Sequence, residues 1–221
     1  MSKLICIILP VILLSGCINS SQDVGSNKIV IILLDFSASF KFLGESVGKA
    51  AETVDELRSG DELVVCAIDG SNSGQNILHA KLPKSARAID PDNQRRVHIM
   101  KLKLKQLIRG INTKRVSGNT DLLGPIYAAS RLFARASDKQ KYLLLFTDLD
   151  DTRGQTIPQG SLNLRDVKVM VFFTTPDSIQ DDISKRQKWS ALFQSAGASF
   201  EMLNVNESRS LSPILGPGDT R

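Results

Sequence analysis

Apolar residues recur along this chain in two alternating rhythms. Lys28 to Leu34 is an unbroken β-branched and leucine run, the mark of a strand buried on both faces. Leu43, Val47, Ala50, Ala51, Val54 and Leu57 then follow at spacings of three and four, the period of one helix face, with Gly60 as the stop. Asp61 to Ile68 predicts a second strand and Asn76 to Leu82 a short edge strand. Pro91-Asp92 opens a helix whose Val97, Met100, Leu104, Leu107, Ile108 and Ile111 form one stripe. Another helix leads from Asn119 or Thr120 through Leu132, Phe133 and Ala136. Tyr142 to Phe146 and Val167 to Phe173 read as strands, Asp177 to Ala196 as a helix and Ser199 to Val205 as the last strand.

Strands alternating with amphipathic helices imply an α/β, Rossmann-like fold: a mostly parallel central sheet of about six strands with helices on both faces. At 221 residues and 42% hydrophobic, the chain supports one sizeable core and one domain, expected over residues 28–215 with a short tail at 216–221. Ligands of such sheets bind where the carboxyl ends of the strands meet their loops, so the strand tips are where function is sought.

The N-terminus has a different character. Met1-Ser2-Lys3, an apolar run from Leu4 to Leu14 and then Ser15-Gly16-Cys17 make a secretory signal, too short to span a bilayer as a helix. Leu14-Ser15-Gly16-Cys17 resembles the lipobox of bacterial lipoproteins. The resemblance implies a signal peptide over 1–16, cleavage before Cys17, and acyl chains, palmitate among them, on that cysteine and its new amine. Residues 17–27 are then the lipidated cysteine and a polar, glycine-containing tether. The expected location is the bacterial cell envelope, and the outer membrane in a host with two, since Ile18 is not the aspartate that retains many lipoproteins at the inner one. Cys66 then remains as a lone thiol on a strand, where it acts as a small apolar residue and not a reactive one.

Charge is unevenly spread. The net charge is +5, yet residues 79–118 hold eleven Lys or Arg against Asp90 and Asp92. The rest of the chain therefore runs slightly acidic. The plain reading is a surface helix solvating its charges; the functional one is that Arg95, Arg96, Lys101 and Lys105 contact anionic lipid heads or an acidic partner. Aromatic residues are scarce there, so nucleic acid is not expected as a partner.

Three strand or loop ends carry chemistry. The first strand closes as Asp35-Phe36-Ser37-Ala38-Ser39, the loop Ser117-Gly118-Asn119-Thr120-Asp121 precedes a helix, and the strand from Tyr142 ends Phe146-Thr147-Asp148. Taken singly, each is ordinary: Asp-x-Ser-x-Ser caps helices, Thr120 is an N-cap and Asp148 a polar strand end. Together and in this order they resemble the von Willebrand factor A family and its metal-ion-dependent adhesion site, over roughly residues 28–205. The resemblance implies a site for Mg²⁺, or Mn²⁺ or Ca²⁺, with Ser37, Ser39 and Thr120 supplying neutral oxygens. Asp35 and Asp148 would orient bound waters and those hydroxyls. It also implies an open position filled by an acidic residue of a protein partner, and hence an adhesion or assembly module that breaks no bond. One departure is Leu149, where the family often has glycine. Asp150 and Asp151 then add negative charge at the rim, to hold a cation more tightly or repel an acidic ligand.

Two rival readings use the same residues. Asp148-Leu149-Asp150-Asp151-Thr152 looks like the nucleophile motif of haloacid-dehalogenase-type, Mg²⁺-dependent phosphatases, with Asp148 attacking phosphorus and Asp150 as acid/base. Thr174 resembles that family's second motif. Position argues against an enzyme: that nucleophile follows the first strand of its domain, and the reading leaves Asp35, Ser37, Ser39 and Thr120 unexplained. The other rival is a metal-free scaffold of the same fold. Zinc-type Cys/His spacing, a phosphate-binding Gly-Lys loop and a Gly-x-Ser-x-Gly nucleophile are all absent from the sequence.

Overall fold

Successive residues of a strand face opposite ways, so β1 (Lys28–Asp35) can be apolar throughout only if both its faces are covered. In the computed structural model they are. It describes residues 27–69, 75–85, 90–114, 120–152, 162–173 and 179–204, with Leu215. Val30, Ile32 and Leu34 enter one core with α1 (Leu43–Thr53), and Ile29, Ile31 and Leu33 enter the other. β2 (Glu62–Ile68) and the edge strand β3 (Gln75–Lys81) complete one half of the sheet. After α2 (Pro91–Arg109) and α3 (Leu123–Ala134) come β4 (Gln140–Phe146) and β5 (Val167–Phe173), then α4 (Ile179–Ser195) and β6 (Ser199–Asn204).

The sheet runs β3-β2-β1-β4-β5-β6, parallel except for β3, which pairs antiparallel with β2 at the edge. One core lies under α1 and α2 and takes Tyr142, Leu144 and Phe146 from β4. The second lies under α3 and α4 and takes Leu143 and Leu145, with Phe133, Trp189 and Phe193 from the helices. Both are built from residues 29–215. Truncating a fully buried ring such as Trp189 to alanine would cost about 3–5 kcal/mol. Among the described residues no helix is long and apolar enough to cross a membrane.

Three details depart from the sequence pattern. Regular helix α1 stops at Thr53 and tightens into a 3₁₀ turn, Val54–Glu56, before Gly60 turns the chain at φ +85°. That φ favours glycine, and a β-carbon there would also press on the Asn27 side chain, 2.8 Å from Oδ1. The stripe on α2 is narrower than its apolar count suggests: Val97, Met100, Leu104 and Ile108 pack inward, as does Ile111 just past the helix end, whereas Leu107 is 59% exposed. Thr120 is not a helix cap; Asp121 Oδ1 accepts the Gly124 N–H at 2.9 Å instead. The signal, Cys17 and the tether up to Ser26, Ser117 to Asn119, Thr174, Val205 and the tail from 216 lie outside the described residues.

One buried pair of charges closes the turn before β2. Lys28, 4% exposed, donates through Nζ to the Leu215 carbonyl and faces Asp61 at 3.9 Å. Asp61 in turn accepts the backbone N–H groups of Lys28 and Arg58, which fixes the turn entering β2.

Candidate metal site

Strand order switches direction at β1: β2 lies on one side, and β4, reached later in the chain, lies on the other. Parallel sheets open a crevice at such a switch, beyond the carboxyl ends of the two strands. Asp35 is the last residue of β1, and β4 ends beside it, with Leu34 paired to Phe146. The strand order of the sheet thus brings the Asp35 and Asp148 loops to one rim.

Asp35 is fully buried, and both its oxygens are used. Oδ1 accepts the Ser37 N–H at 2.8 Å, a tight turn that folds the chain back over the strand end. Oδ2 accepts the Thr147 hydroxyl at 2.7 Å. The turn sets the Ser37 and Ser39 hydroxyl oxygens 3.0 Å apart, with Ser37 buried and Ser39 exposed at the rim. Burial pushes the Asp35 carboxyl up to about 6; the bonds from Thr147 and Ser37 oppose that rise, and the Asp148 charge adds to it.

The loop after β4 is held from three directions. Thr152 Oγ1 accepts the Thr120 N–H at 2.7 Å, and the Thr120 carbonyl accepts the Thr152 N–H at 3.1 Å, so the Thr120 loop is joined to the Asp148 loop. Leu149 takes φ +62°, the left-handed region that costs an L-residue about 1–2 kcal/mol. Its N–H donates to Thr147 Oγ1 at 3.0 Å, its carbonyl accepts from Trp189 Nε1 at 3.3 Å, and its side chain is buried in the second core. That backbone geometry is the physical reason a glycine would suit this position. Asp148, half-buried, accepts the Asp150 N–H, and Lys185 Nζ bonds the Asp148 carbonyl at 3.2 Å while pairing with Asp150 at 2.5 Å. The rim charge of Asp150 is therefore matched by a cation on α4.

Asp35, Ser37, Ser39, Thr120 and Asp148 thus lie on three loops at the carboxyl edge of the sheet, and Asp150 and Asp151 follow on the last of them. The α2 cations do not join them. Lys101 Nζ bonds the Asp55 carbonyl and Lys105 pairs with Asp55 at 2.7 Å, tying α2 to the turn after α1. Arg95 and Arg96 stand in the first turns of α2, beside the Arg58–Asp61 turn. Thr147, Thr152, Lys185 and Trp189 were not legible as site residues. Thr147 alone had a local sign, a hydroxyl residue directly before Asp148; Lys185 and Trp189 act from 37 and 40 positions away.

Among the described residues no three His, Cys, Asp or Glu side chains gather, so a cation here would rest on hydroxyls and the Asp35 and Asp148 carboxylates. Such hard oxygen donors suit Mg²⁺, Mn²⁺ or Ca²⁺. A buried carboxylate made reluctant to ionise by burial and a like charge is also one that a nearby cation would stabilise. Cys66, partly buried on β2, offers no reactive thiolate, since burial pushes its thiol up to about 11.

No family model and no curated protein matches the sequence. Several solved structures overlay on the chain. Proximal thread matrix protein 1 from the mussel byssus overlays with a TM-score of 0.52 at 16% identity, covering 86% of this chain and 47% of its own. A von Willebrand factor type A protein from Catenulispora acidiphila gives 0.46 at 15% identity, covering 81% and 39%. An aerotolerance-related membrane protein from Bacteroides fragilis gives 0.48 at 13% identity, covering 82% and 94%. The chain spans less than half the length of the first two. Its fold is a Rossmann-like α/β sheet, parallel but for one edge strand, and the mussel protein shares it.

Proposed function

We propose that this chain is an exported, lipid-anchored domain of the von Willebrand factor A type that holds a divalent cation at its switch-point rim and binds a protein partner through it. One observation carries the reading. The buried Asp35 carboxylate grips Ser37 and Thr147 so that two serine hydroxyls converge 3.0 Å apart at the rim where Asp148 also stands. Ser37, Ser39 and Thr120 would offer neutral oxygens to the ion, and Asp35 and Asp148 would orient them. When bound, the cation supplies an electron-poor site for a carboxylate oxygen of the partner. Thr147 and Leu149 keep the acid loop rigid, so little ordering is left to be done on binding.

The reading has no bond-breaking step, and Cys17 carries the anchor. Calorimetric titration of Mg²⁺ and Mn²⁺ into wild type and Ser37→Ala tests the site: one-site binding that weakens at least about tenfold in the variant is expected. Equal, negligible binding in both would leave a metal-free scaffold. Labelled palmitate incorporated by the wild type and lost in Cys17→Ser tests the anchor. Phosphate release from p-nitrophenyl phosphate that vanished in Asp148→Asn would replace this reading with the phosphatase.

A further inference from the structure

The outward side of α2 is apolar and cationic at once. Its inward row packs on the first core, and Lys101 and Lys105 turn sideways to Asp55. The opposite side carries Ile99, Leu102 and Leu107, exposed by 43%, 56% and 59%. Arg95, Arg96, Lys103 and Arg109 stand exposed among them. At a helical 100° per residue these seven positions fall within a sector of about 160°. Asp92 is the one acid there, and among the described residues no carboxylate pairs with any of the four cations.

Arg96 lies in the field of Asp90 and reaches Asn93 Oδ1 at 3.5 Å, but none of the four cations is held in an ion pair among the described residues. Single exposed aliphatic residues are ordinary; three of them sharing one helix face with four such cations are not. The face is convex, so it does not grip a side chain as a groove would. It also lacks the aromatic rings on which unpaired bases stack. Aliphatic side chains flanked by Arg and Lys are instead what an interfacial helix presents to lipid headgroups.

The chain's point of entry favours the same occupant. Asn27 lies against Gly60, and Ser59 of that turn accepts a hydrogen bond from Asn93 Nδ2 in the first turn of α2 at 3.0 Å. The chain therefore enters the domain where α2 begins. Ten residues separate Cys17 from Lys28, a reach of at most about 35 Å. That is no more than the diameter, about 40 Å, of a domain this size.

We infer that the Arg95–Arg109 face of α2 rests on an anionic phospholipid surface. Ile99, Leu102 and Leu107 enter the headgroup layer, and Arg95, Arg96, Lys103 and Arg109 pair with lipid phosphates. The inference rests on the lipid-anchor reading for its geometry of approach, and on α2 alone for its chemistry.

A chain beginning at Ile18 tests it, since every strand, helix and core residue described lies after that point. Its sedimentation is measured with phosphatidylcholine vesicles and with vesicles containing about 30% phosphatidylglycerol, at low and high salt. Binding at least about tenfold tighter to the anionic vesicles, weakened by salt, is expected. Arg95→Glu with Arg96→Glu, and separately Leu102→Ser with Leu107→Ser, should each cut it about tenfold while the circular dichroism spectrum is unchanged. Lys103→Glu provides a milder variant if either pair fails to fold. No binding at low salt, equal binding to both vesicle types, or folded variants that bind like wild type would overturn the inference. This chain carries no Cys17, so such a failure leaves the palmitate result, and with it the anchor reading, untouched.

Discussion

The Thr147 hydroxyl donates to Asp35 Oδ2 at 2.7 Å, joining two residues 112 positions apart. The same oxygen accepts the Leu149 N–H. One hydroxyl therefore links the buried acid of β1 to the backbone turn that carries Asp148. Thr147→Val keeps the shape and deletes both bonds. It should destabilise the domain by about 1–3 kcal/mol in urea unfolding and weaken Mn²⁺ binding measured by calorimetry. Wild-type cation affinity in a folded Thr147→Val protein would contradict this linkage.

Leu149 supplies a prediction with an inverted order. Its side chain is 3% exposed in the second core, while its φ of +62° disfavours any residue with a β-carbon. Leu149→Ala loses the packing and keeps the strain; Leu149→Gly loses the packing and sheds the strain. Both should destabilise by about 2–4 kcal/mol, with glycine the milder by about 0.5–1 kcal/mol. Alanine milder than glycine would mean the left-handed turn is not held in solution.

Lys185 balances the rim. Its ammonium pairs with Asp150 and bonds the Asp148 carbonyl, so it opposes any second cation nearby. Lys185→Met should tighten Mn²⁺ binding roughly two- to tenfold at low salt, with the gain fading as salt rises. Unchanged affinity at every salt concentration would place the ion outside the field of Lys185.

Stability at acid pH should follow Glu62. Burial alone would raise its carboxyl, but hydrogen bonds from Lys139 and His79, together with their charges, more than offset it, and the group sits below the usual glutamate range. A carboxyl depressed in the folded state stabilises fully above the unfolded value, about 4.3. That contribution is lost as pH falls through the lower folded value. Glu62→Gln should therefore cost about 1–2 kcal/mol at neutral pH and progressively less below pH about 4, read from urea midpoints across pH. A cost that does not change with pH would rule out the ionised pair as its source.

Much of the architecture was legible because its signals are local. β1 announces two covered faces by six consecutive apolar residues, Ile29 to Leu34, and β5 reads correctly from Val167 to Phe173 by a run broken only at Lys168. Periodicity places α2 but overstates its inner stripe. Leu107 lies at the stripe's flank, and whether a flank is covered depends on the neighbouring helix; here it stays open. Thr120 looks like a cap by residue type, yet Asp121, one position on, takes that role.

The sequence by itself determined the alternation of strands and helices, and the order in which Asp35, Ser37, Ser39, Thr120 and Asp148 reach strand tips and loop ends. Those follow from side-chain period and residue chemistry, which act over a few positions. Only the tertiary structure decided that Thr147 would hold Asp35, that Thr152 would hold the Thr120 loop, and that Lys185 and Trp189 would clamp the turn at Leu149. Hydrogen bonds and ion pairs need atoms within about 3 Å, and residues separated by dozens of positions come that close only after the sheet has set its strand order.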